Sequence, residues 1–394
     1  MAVTTDSTVG AARPPFWRDV KVLRVLAQVV AGIGAIALLL YLGRNLNTNL
    51  TAANIPTDFE FLKQPAGVGV TGSDFRPSQP VSDIILLGIK NTGALALVGI
   101  PLLTILGTLI GIGRLSSNWL VRKAATVYVE TLRNIPPLIV IIYTSTAVVL
   151  SLPRMQDALT PGGFFVISNR FLAIPWAAAG DNSGAYLTVL GVGIIASIAA
   201  WIWRTRKFDA TGTPPHRFLW GTGTFLFFAI VGFFVLGRPY SLSRPEVIDG
   251  RIIEGGYQTV GPYIAVLAAL VIYTASHVAE IVRGSIQAVA KGQTEAANAL
   301  ALSSFQRLRF VILPQALRIA IPPLINQFLN FTKNTSLSIA IGYAEVTLVV
   351  FQAIGNAKPA PQLILILMAS YLLFSLSISL LINMLNRRLQ LVTN

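Results

Sequence analysis

The chain has 394 residues, of which 54% are hydrophobic and 12% charged, with a mean hydropathy of +0.67. That is too apolar for an ordinary soluble protein, so an all-α, polytopic membrane protein is expected. The absence of cysteine excludes disulfides and thiolate chemistry, and two histidines, His216 and His277, are too few for a multi-histidine metal site. The formal net charge of +14 would suit a nucleic-acid binder, so where the charges fall has to decide.

Runs long enough to cross about 30 Å of hydrocarbon recur along the chain. They predict eight spans: Val22–Leu42, Ile84–Gly113, Ala124–Leu150, Gly184–Trp203, Phe218–Gly237, Gly261–Arg283, Ile319–Gly342 and Pro361–Leu385. The first starts some way in, continues through Tyr41 and Leu42 and meets no small-x-small cleavage site before Gly43-Arg44, so it reads as a retained anchor. Residues 43–83 are rich in Asn, Pro, Gly and Thr and read as a loop on the outer face, one that touches a partner or caps the bundle. Within it, Gly67-Val68-Gly69-Val70-Thr71-Gly72 matches a dinucleotide fingerprint on paper but lacks the preceding strand and following helix, and reads as a flexible loop.

The chain therefore divides into an anchor and loop at 1–83, a first bundle block at 84–150, an insertion with two extra spans at 151–260, and a second block at 261–394. With both termini on the inner side, 19 Lys and Arg residues lie inside and nine outside, with Lys90 and Lys333 within spans. This twofold bias fits the positive-inside rule and makes nucleic acid unnecessary as an explanation of the basicity.

Four clusters stand out. Glu130 and Arg133, three apart, share a helix face and read as a positioning pair, and Pro136-Pro137 should break that helix as a gate or a kink. His277 and Glu280 lie three apart near a span end, where path polarity or packing explains them better than a proton relay. Lys333 falls inside an apolar run, where a charge costs at least about 2.5–3.5 kcal/mol. Together with Asn334, Thr335 and Ser336 it is a lining of a translocation path, or else one half of an ion pair or a snorkelling lysine.

The fourth cluster is the polar, basic stretch from Thr294 to Leu317. Thr294 is placed to cap a short helix with Glu295 in its first turn and Ala296, Ala297 and Ala301 as a small-residue surface. Ser303 and Gln306 form a capping-box pattern opening a second helix, with Arg307 near its start and Pro314 limiting its far end.

Glu295-Ala296-Ala297 with Leu313-Pro314 downstream resembles the cytoplasmic EAA loop of ABC importer permeases, departing from it at Ala301, where the pattern usually has Gly. Tyr128 to Pro137, Glu280-Ile281-Val282-Arg283-Gly284, Lys291-Gly292-Gln293 and Lys333 to Leu337 with Glu345 beyond extend the likeness. Together they resemble the polar amino-acid, histidine/glutamine permease branch. The long N-terminus and the insertion look like the larger permease of a general L-amino-acid importer.

The resemblance implies a MetI-like type I permease core in a bacterial inner membrane, translocating polar L-amino acids. It implies docking to an ATPase dimer through Glu295, Ala296, Ala297, Ala301, Ser303, Arg307 and Pro314, a second homologous permease, and a periplasmic amino-acid-binding protein. It also implies no cofactor in this chain, since ATP and Mg belong to the ATPase, and indeed no Gly-x-x-x-x-Gly-Lys phosphate loop occurs here. The alternative, an ion-coupled secondary transporter or channel, calls for several intramembrane acids. Only Glu130, Glu280 and Asp83 come near, all towards span ends.

Overall fold

The computed structural model describes Trp17 and residues 19–53, 55–211 and 216–389. Arg13 and Arg18, counted above on the inner side, lie outside them. Among the described residues seven helices are long and apolar enough to cross a membrane, and a bent helix pair makes up to eight. The first helix, α1 (Val20–Ala52), is capped by Asp19 and runs ten residues past the expected Leu42, because Gly43 to Ala52 holds no proline to stop it. It is exposed along its whole length.

The segment that follows is packed rather than flexible. Phe61, Ala66 and Val70 are buried against Val81, Ile84 and Ile85, and Asn356 donates to the Ala66 carbonyl. Gly67 sits at φ +72° and Gly72 at +77°, conformations that glycine adopts freely. The loop thus caps the bundle.

Helix α2 (Val81–Gly113) enters the core. The expected single span Ala124–Leu150 is instead two pieces: α3 (Trp119–Arg133), and α4 (Pro137–Tyr143) continued by a π-turn over Thr144–Val149, meeting at 104°. The cause is the one anticipated at Pro136-Pro137. Pro136 is extended and Pro137 opens the next helix, where its missing N–H costs nothing.

Beyond Leu150 the chain departs from an all-helical picture. Seven short strands lie within 166–260: β1 (Val166–Ile167), β2 (Phe171–Ile174), β3 (Trp176–Ala179), β4 (Tyr240–Ser243), β5 (Glu246–Ile248), β6 (Ile252–Glu254) and β7 (Tyr257–Val260). They form an antiparallel β1-β2-β7 sheet and the pairs β3-β4 and β5-β6 around Val166, Ala173 and Ile253. Short runs of branched and aromatic residues between Gly, Pro and Asp turns carry this signal, but hydropathy over a span-length window averages it away.

Between β3 and β4 rise the two extra spans, α5 (Ser183–Thr211) and α6 (Arg217–Val235), which pack chiefly on each other. Then β7 passes directly into α7 (Gly261–Gln287). The polar stretch forms α8 (Lys291–Ala299) and α9 (Ser304–Arg307), a π-turn over Leu308–Ile312, and α10 (Leu313–Asn334). The seventh predicted span, Ile319–Gly342, changes helical type near its end, and the eighth, Pro361–Leu385, is met by one slightly longer helix. A 3-10 turn over Thr335–Ile341 takes over from α10, an unanticipated short helix α11 (Val346–Gly355) is buried, and α12 (Ala360–Leu389) closes the fold. The main core joins α2, α4, α7 and α10 through Leu95, Leu103, Ile141, Leu270, Val278 and Phe331.

Candidate functional site

The elbow between α8 and α9 is built from backbone chemistry. Helix α8 begins at Lys291, four residues before Glu295, so Thr294 lies inside it and is not its cap. The helix ends in paired closing bonds: Leu302 N–H donates to the Ala297 carbonyl at 3.1 Å and Ala301 N–H to the Asn298 carbonyl at 2.9 Å. This Schellman arrangement needs a left-handed residue at its turn, and Ala301 supplies it at φ +56°. That positive φ explains why glycine suits the position.

Ser303 next opens α9 with the expected capping box. Its Oγ accepts from Gln306 N–H at 3.3 Å, and Gln306 Oε1 accepts from Ser303 N–H at 2.9 Å. Two side-chain braces close the elbow, Arg307 Nη1 to Asn298 Oδ1 and Gln315 Nε2 to Gln293 Oε1 at 3.1 Å. Ala297 is buried, whereas Glu295, Ala296 and Ala301 are exposed.

Pro314 does not end the second helix. The π-turn before it absorbs the missing N–H, and helical backbone runs from Ser304 to Ile341 without a break large enough to divide it. The elbow is therefore continuous in helical backbone with the span that follows it.

At the same end of the bundle, the expected Glu130–Arg133 pair is replaced by a network across three helices. Arg114, at the C-cap of α2, bonds Glu130 of α3 at 3.2 Å and also Glu280 of α7, which in turn holds Arg283. Side chains three apart on a helix are neighbours. A guanidinium arriving from another helix, with one nitrogen on Glu130 and the other on Glu280, nonetheless takes the place of that local pair. Asn134 Nδ2 donates back to the Glu130 carbonyl at 2.6 Å, just before the Pro136-Pro137 break.

Glu280 is thus engaged by arginines and not by His277. The His277 ring stands edge-on to Tyr273 at 5.0 Å, and its Nε2 is buried without a hydrogen-bond partner. Lys333 proves to be an exposed residue of the last turn of α10, with no acidic group within 4 Å among the described residues. Its neighbours are occupied locally. Thr335 Oγ1 donates to the Thr332 carbonyl and Ser336 Oγ to the Lys333 carbonyl, each at 2.8 Å. Among the described residues the ion pair is not formed, and Thr335 and Ser336 spend their hydroxyl donors on the backbone.

Residues 103–391, most of the chain, match the family model described as "Binding-protein-dependent transport system inner membrane component". The chain belongs to this permease family. It is 37% identical over 95% of its length, and 94% of the relative's, to the general L-amino acid transport system permease protein AapQ of Rhizobium johnstonii. It is 35% identical to the putative amino-acid ABC transporter permease protein YhdX of Escherichia coli, covering 93% of this chain and 94% of that one. A glutamate/glutamine/aspartate/asparagine transport system permease protein, BztB of Rhodobacter capsulatus, is 35% identical, with 95% of each chain covered. This is a multi-pass inner-membrane permease component and not an enzyme.

Two features of the permease escaped sequence reasoning. The first is Glu345, fully buried at the N-cap of α11. Its Oε1 accepts from Thr347 N–H at 2.8 Å and Leu348 N–H at 3.2 Å, and its Oε2 from the Tyr371 hydroxyl at 2.8 Å and Thr347 Oγ1 at 3.3 Å. Thr92 Oγ1 reaches the same oxygen at 3.4 Å. A buried carboxylate without a cation is retained because its acceptor sites are filled. It ties α2, α11 and α12 together. A Glu before an apolar run with Thr two residues on was the available signal.

The second is a cavity of about 620 Å³ at the opposite end from the elbow, between the starts of α2 and α7. Its lining includes Ser73, Asn91, Arg170, Gln258, Thr259 and Tyr263, polar groups drawn from the cap loop, the strands and the bundle alike.

Proposed function

We propose that this chain is the permease subunit of an ATP-binding-cassette importer that moves polar L-amino acids inward across a bacterial inner membrane. The elbow sits on the cytoplasmic ATPase dimer, which binds the ATP and Mg. The β-layer faces the periplasm and a soluble amino-acid-binding protein, a second homologous permease completes the pathway, and both termini are cytoplasmic. The family and the amino-acid systems named for its relatives support this reading.

The observation that carries it is the elbow. Exposed Glu295, Ala296 and Ala301 surround a braced turn that continues without a hinge into a transmembrane helix. In this reading Glu295, Ala296 and Ala301 form the docking surface, with buried Ala297 packed beneath it. Ser303 and Arg307 hold its shape, and Pro314 lies where the continuous helix, acting as a lever, enters the membrane. The Arg114–Glu130–Glu280–Arg283 network holds the cytoplasmic ends of three helices together and has to rearrange when the lever moves. Arg133 and the Pro136-Pro137 break lie beside it as gating elements. Lys333, Asn334, Thr335, Ser336 and His277 remain candidates for the path through the bundle, Lys333 as an exposed cation and His277 through its unpartnered ring nitrogen.

Glu295→Lys and Ala301→Asp each place a charge on the docking surface without touching the core. Both should insert normally, yet lose co-purifying ATPase and substrate-stimulated hydrolysis. Wild-type amino-acid uptake by both variants at matched expression would overturn the assignment. Because the chain has no native cysteine, Ser73→Cys and Ser243→Cys should react with an impermeant maleimide in whole cells, and Ser304→Cys only after lysis.

A further inference from the structure

Three arginines from separate parts of the inserted segment line one cavity of about 490 Å³: Arg154 before the turn at 155–157, Arg170 between β1 and β2, and Arg251 in the β5–β6 turn. Backbone contacts put them there. Asn169 N–H donates to the Pro153 carbonyl at 2.9 Å, joining the first two segments, and Gly261 N–H donates to the Arg170 carbonyl at 2.6 Å. The β5–β6 turn uses Asp249 and Gly250, both at positive φ. It lies so close to the 155–157 turn that a Cβ on Gly250 would meet Gln156 Cα at 3.3 Å. Glycine suits the position both in its φ and in the little space left beside Gln156.

No acidic residue lines the cavity, and among the described residues none of the three arginines forms an ion pair. Placing like charges together is unfavourable, and although Asp157 and Asp249 lie in the adjoining turns, among the described residues no carboxylate comes within 4 Å of these guanidinium groups. The surroundings are equally specific. On the same β-layer Arg244 stacks on exposed Phe164 at 4.3 Å, Phe165 and Leu159 are exposed, and Trp176 packs at 5.3 Å on Tyr257, which lines the adjoining 620 Å³ cavity. Arginine together with exposed aromatic residues is the composition of protein-binding hot spots. Three forked guanidinium groups also exceed what the one or two carboxylates of a free amino acid would match.

We infer that this arginine-lined cavity, with the exposed aromatic residues of the same β-layer, forms the docking surface for an acidic patch of the extracytoplasmic binding protein, so that the insertion selects the partner. The inference rests on the orientation given under the proposed function. It assigns the β-layer a carboxylate-reading role and gives the adjoining 620 Å³ cavity, which shares Asn169, Arg170 and Phe171 with it, the place of the entrance beneath a docked partner.

The test is binding of the transport system's own binding protein to the complete permease–ATPase complex in nanodiscs, measured by surface plasmon resonance at several salt concentrations. The triple variant R154Q/R170Q/R251Q should weaken binding about tenfold or more and flatten its salt dependence, with the corresponding triple lysine variant falling between. Should the triple variant assemble poorly, the single substitutions decide, each expected to weaken binding about threefold. Wild-type affinity and salt dependence in the glutamine variants would overturn the inference. So would displacement of the binding protein by free L-glutamate with the wild-type arginines in place, which would assign the cavity to substrate. Whole-cell labelling of Ser243→Cys separates the two levels. Labelling with unaltered affinity refutes the docking surface alone, whereas labelling only after lysis refutes the orientation beneath it.

Discussion

Helices α2 and α7 and helices α5 and α6 are two apolar pairs of one chain, each able to enter a bilayer, yet they are used differently. One third of the most apolar stretch of α2 and 56% of that of α7 are buried inside the molecule, against 6% and 11% for α5 and α6. Apolar character drives both pairs into lipid but cannot distinguish them, because lipid solvates a leucine as well as another helix does. Close approach makes the difference. Gly107 and Gly111 of α2 form a small-xxx-small pair where α7 comes so near that a Cβ would meet Val278 at 2.5 Å and the Ala279 carbonyl at 2.7 Å. The inserted pair also has close glycines, Gly193 against Phe228 and Gly232 against Val189, but these contacts are internal to the hairpin. Its outer faces, with Phe218, Leu219, Phe227 and Phe234 exposed, are left to the bilayer.

Leucine substitutions break this contrast most directly. Gly107→Leu pushes a side chain into Val278 and the Ala275 carbonyl oxygen, 2.9 Å from the would-be Cβ, and a backbone oxygen does not yield as a rotamer does. The expected destabilisation is about 3 kcal/mol, the upper end of ordinary overpacking, seen as loss of monodisperse complex on size exclusion after mild heating. Gly191→Leu in α5 has no atom within 4 Å of its new Cβ and should behave as wild type. Equal damage from both would show that the hairpin packs as tightly as the core.

Long-range apolar pattern was legible from the sequence, and short-range geometry was legible where the chemistry is local. The Ser303–Gln306 capping box and the proline break at 136–137 came through because each depends on residues within four positions of one another. The Glu130–Arg133 pair did not, because Arg114 approaches Glu130 from another helix and spacing along one chain segment cannot reveal a third party. Lys333 keeps its place within a candidate span, but the acidic partner considered for it is absent among the described residues. The apolar run continues through Leu337 to Ile341, but its backbone changes from α to 3-10 beyond Asn334, and composition does not register that change. The strands and α11 were hidden by length, being shorter than any window that detects spans.

The hairpin's independence has a sharper test in its own attachment points. It leaves and re-enters the β-layer through β3 and β4, where Ala179 pairs with Tyr240 and Gly180 N–H donates to the Pro239 carbonyl at 2.8 Å. The two spans therefore begin and end side by side. Excising residues 181–238 and joining Gly180 to Pro239 through Asn-Gly, a pair suited to a tight antiparallel turn, should preserve the β-layer. Removing two spans also leaves the orientation of every other span unchanged. We expect the shortened permease to insert and to co-purify with its ATPase at no less than about half the wild-type yield, because the lost contacts are internal to the hairpin. Failure to recover assembled complex would mean that α5 and α6 hold the core in place.

The smallest expected effect lies at the elbow, where the comparison passes from helix packing to a single backbone angle. Ala301 holds φ +56° to close α8, a conformation that costs a residue with a Cβ about 1–2 kcal/mol. Ala301→Gly removes that strain but gives the unfolded chain extra freedom worth about 0.4–1 kcal/mol, so a net stabilisation of about 0.5–1 kcal/mol is expected. The gain is local, because the residue is exposed and touches neither the core nor the arginine network. It should appear as hydrogen exchange slowed about threefold at the amides of Ala301 and Leu302, which make the closing bonds, with the melting temperature of the whole complex nearly unchanged. Faster exchange in the glycine variant would mean that alanine is held there by contacts outside the elbow, and that the turn is set by a partner rather than by its own hydrogen bonds.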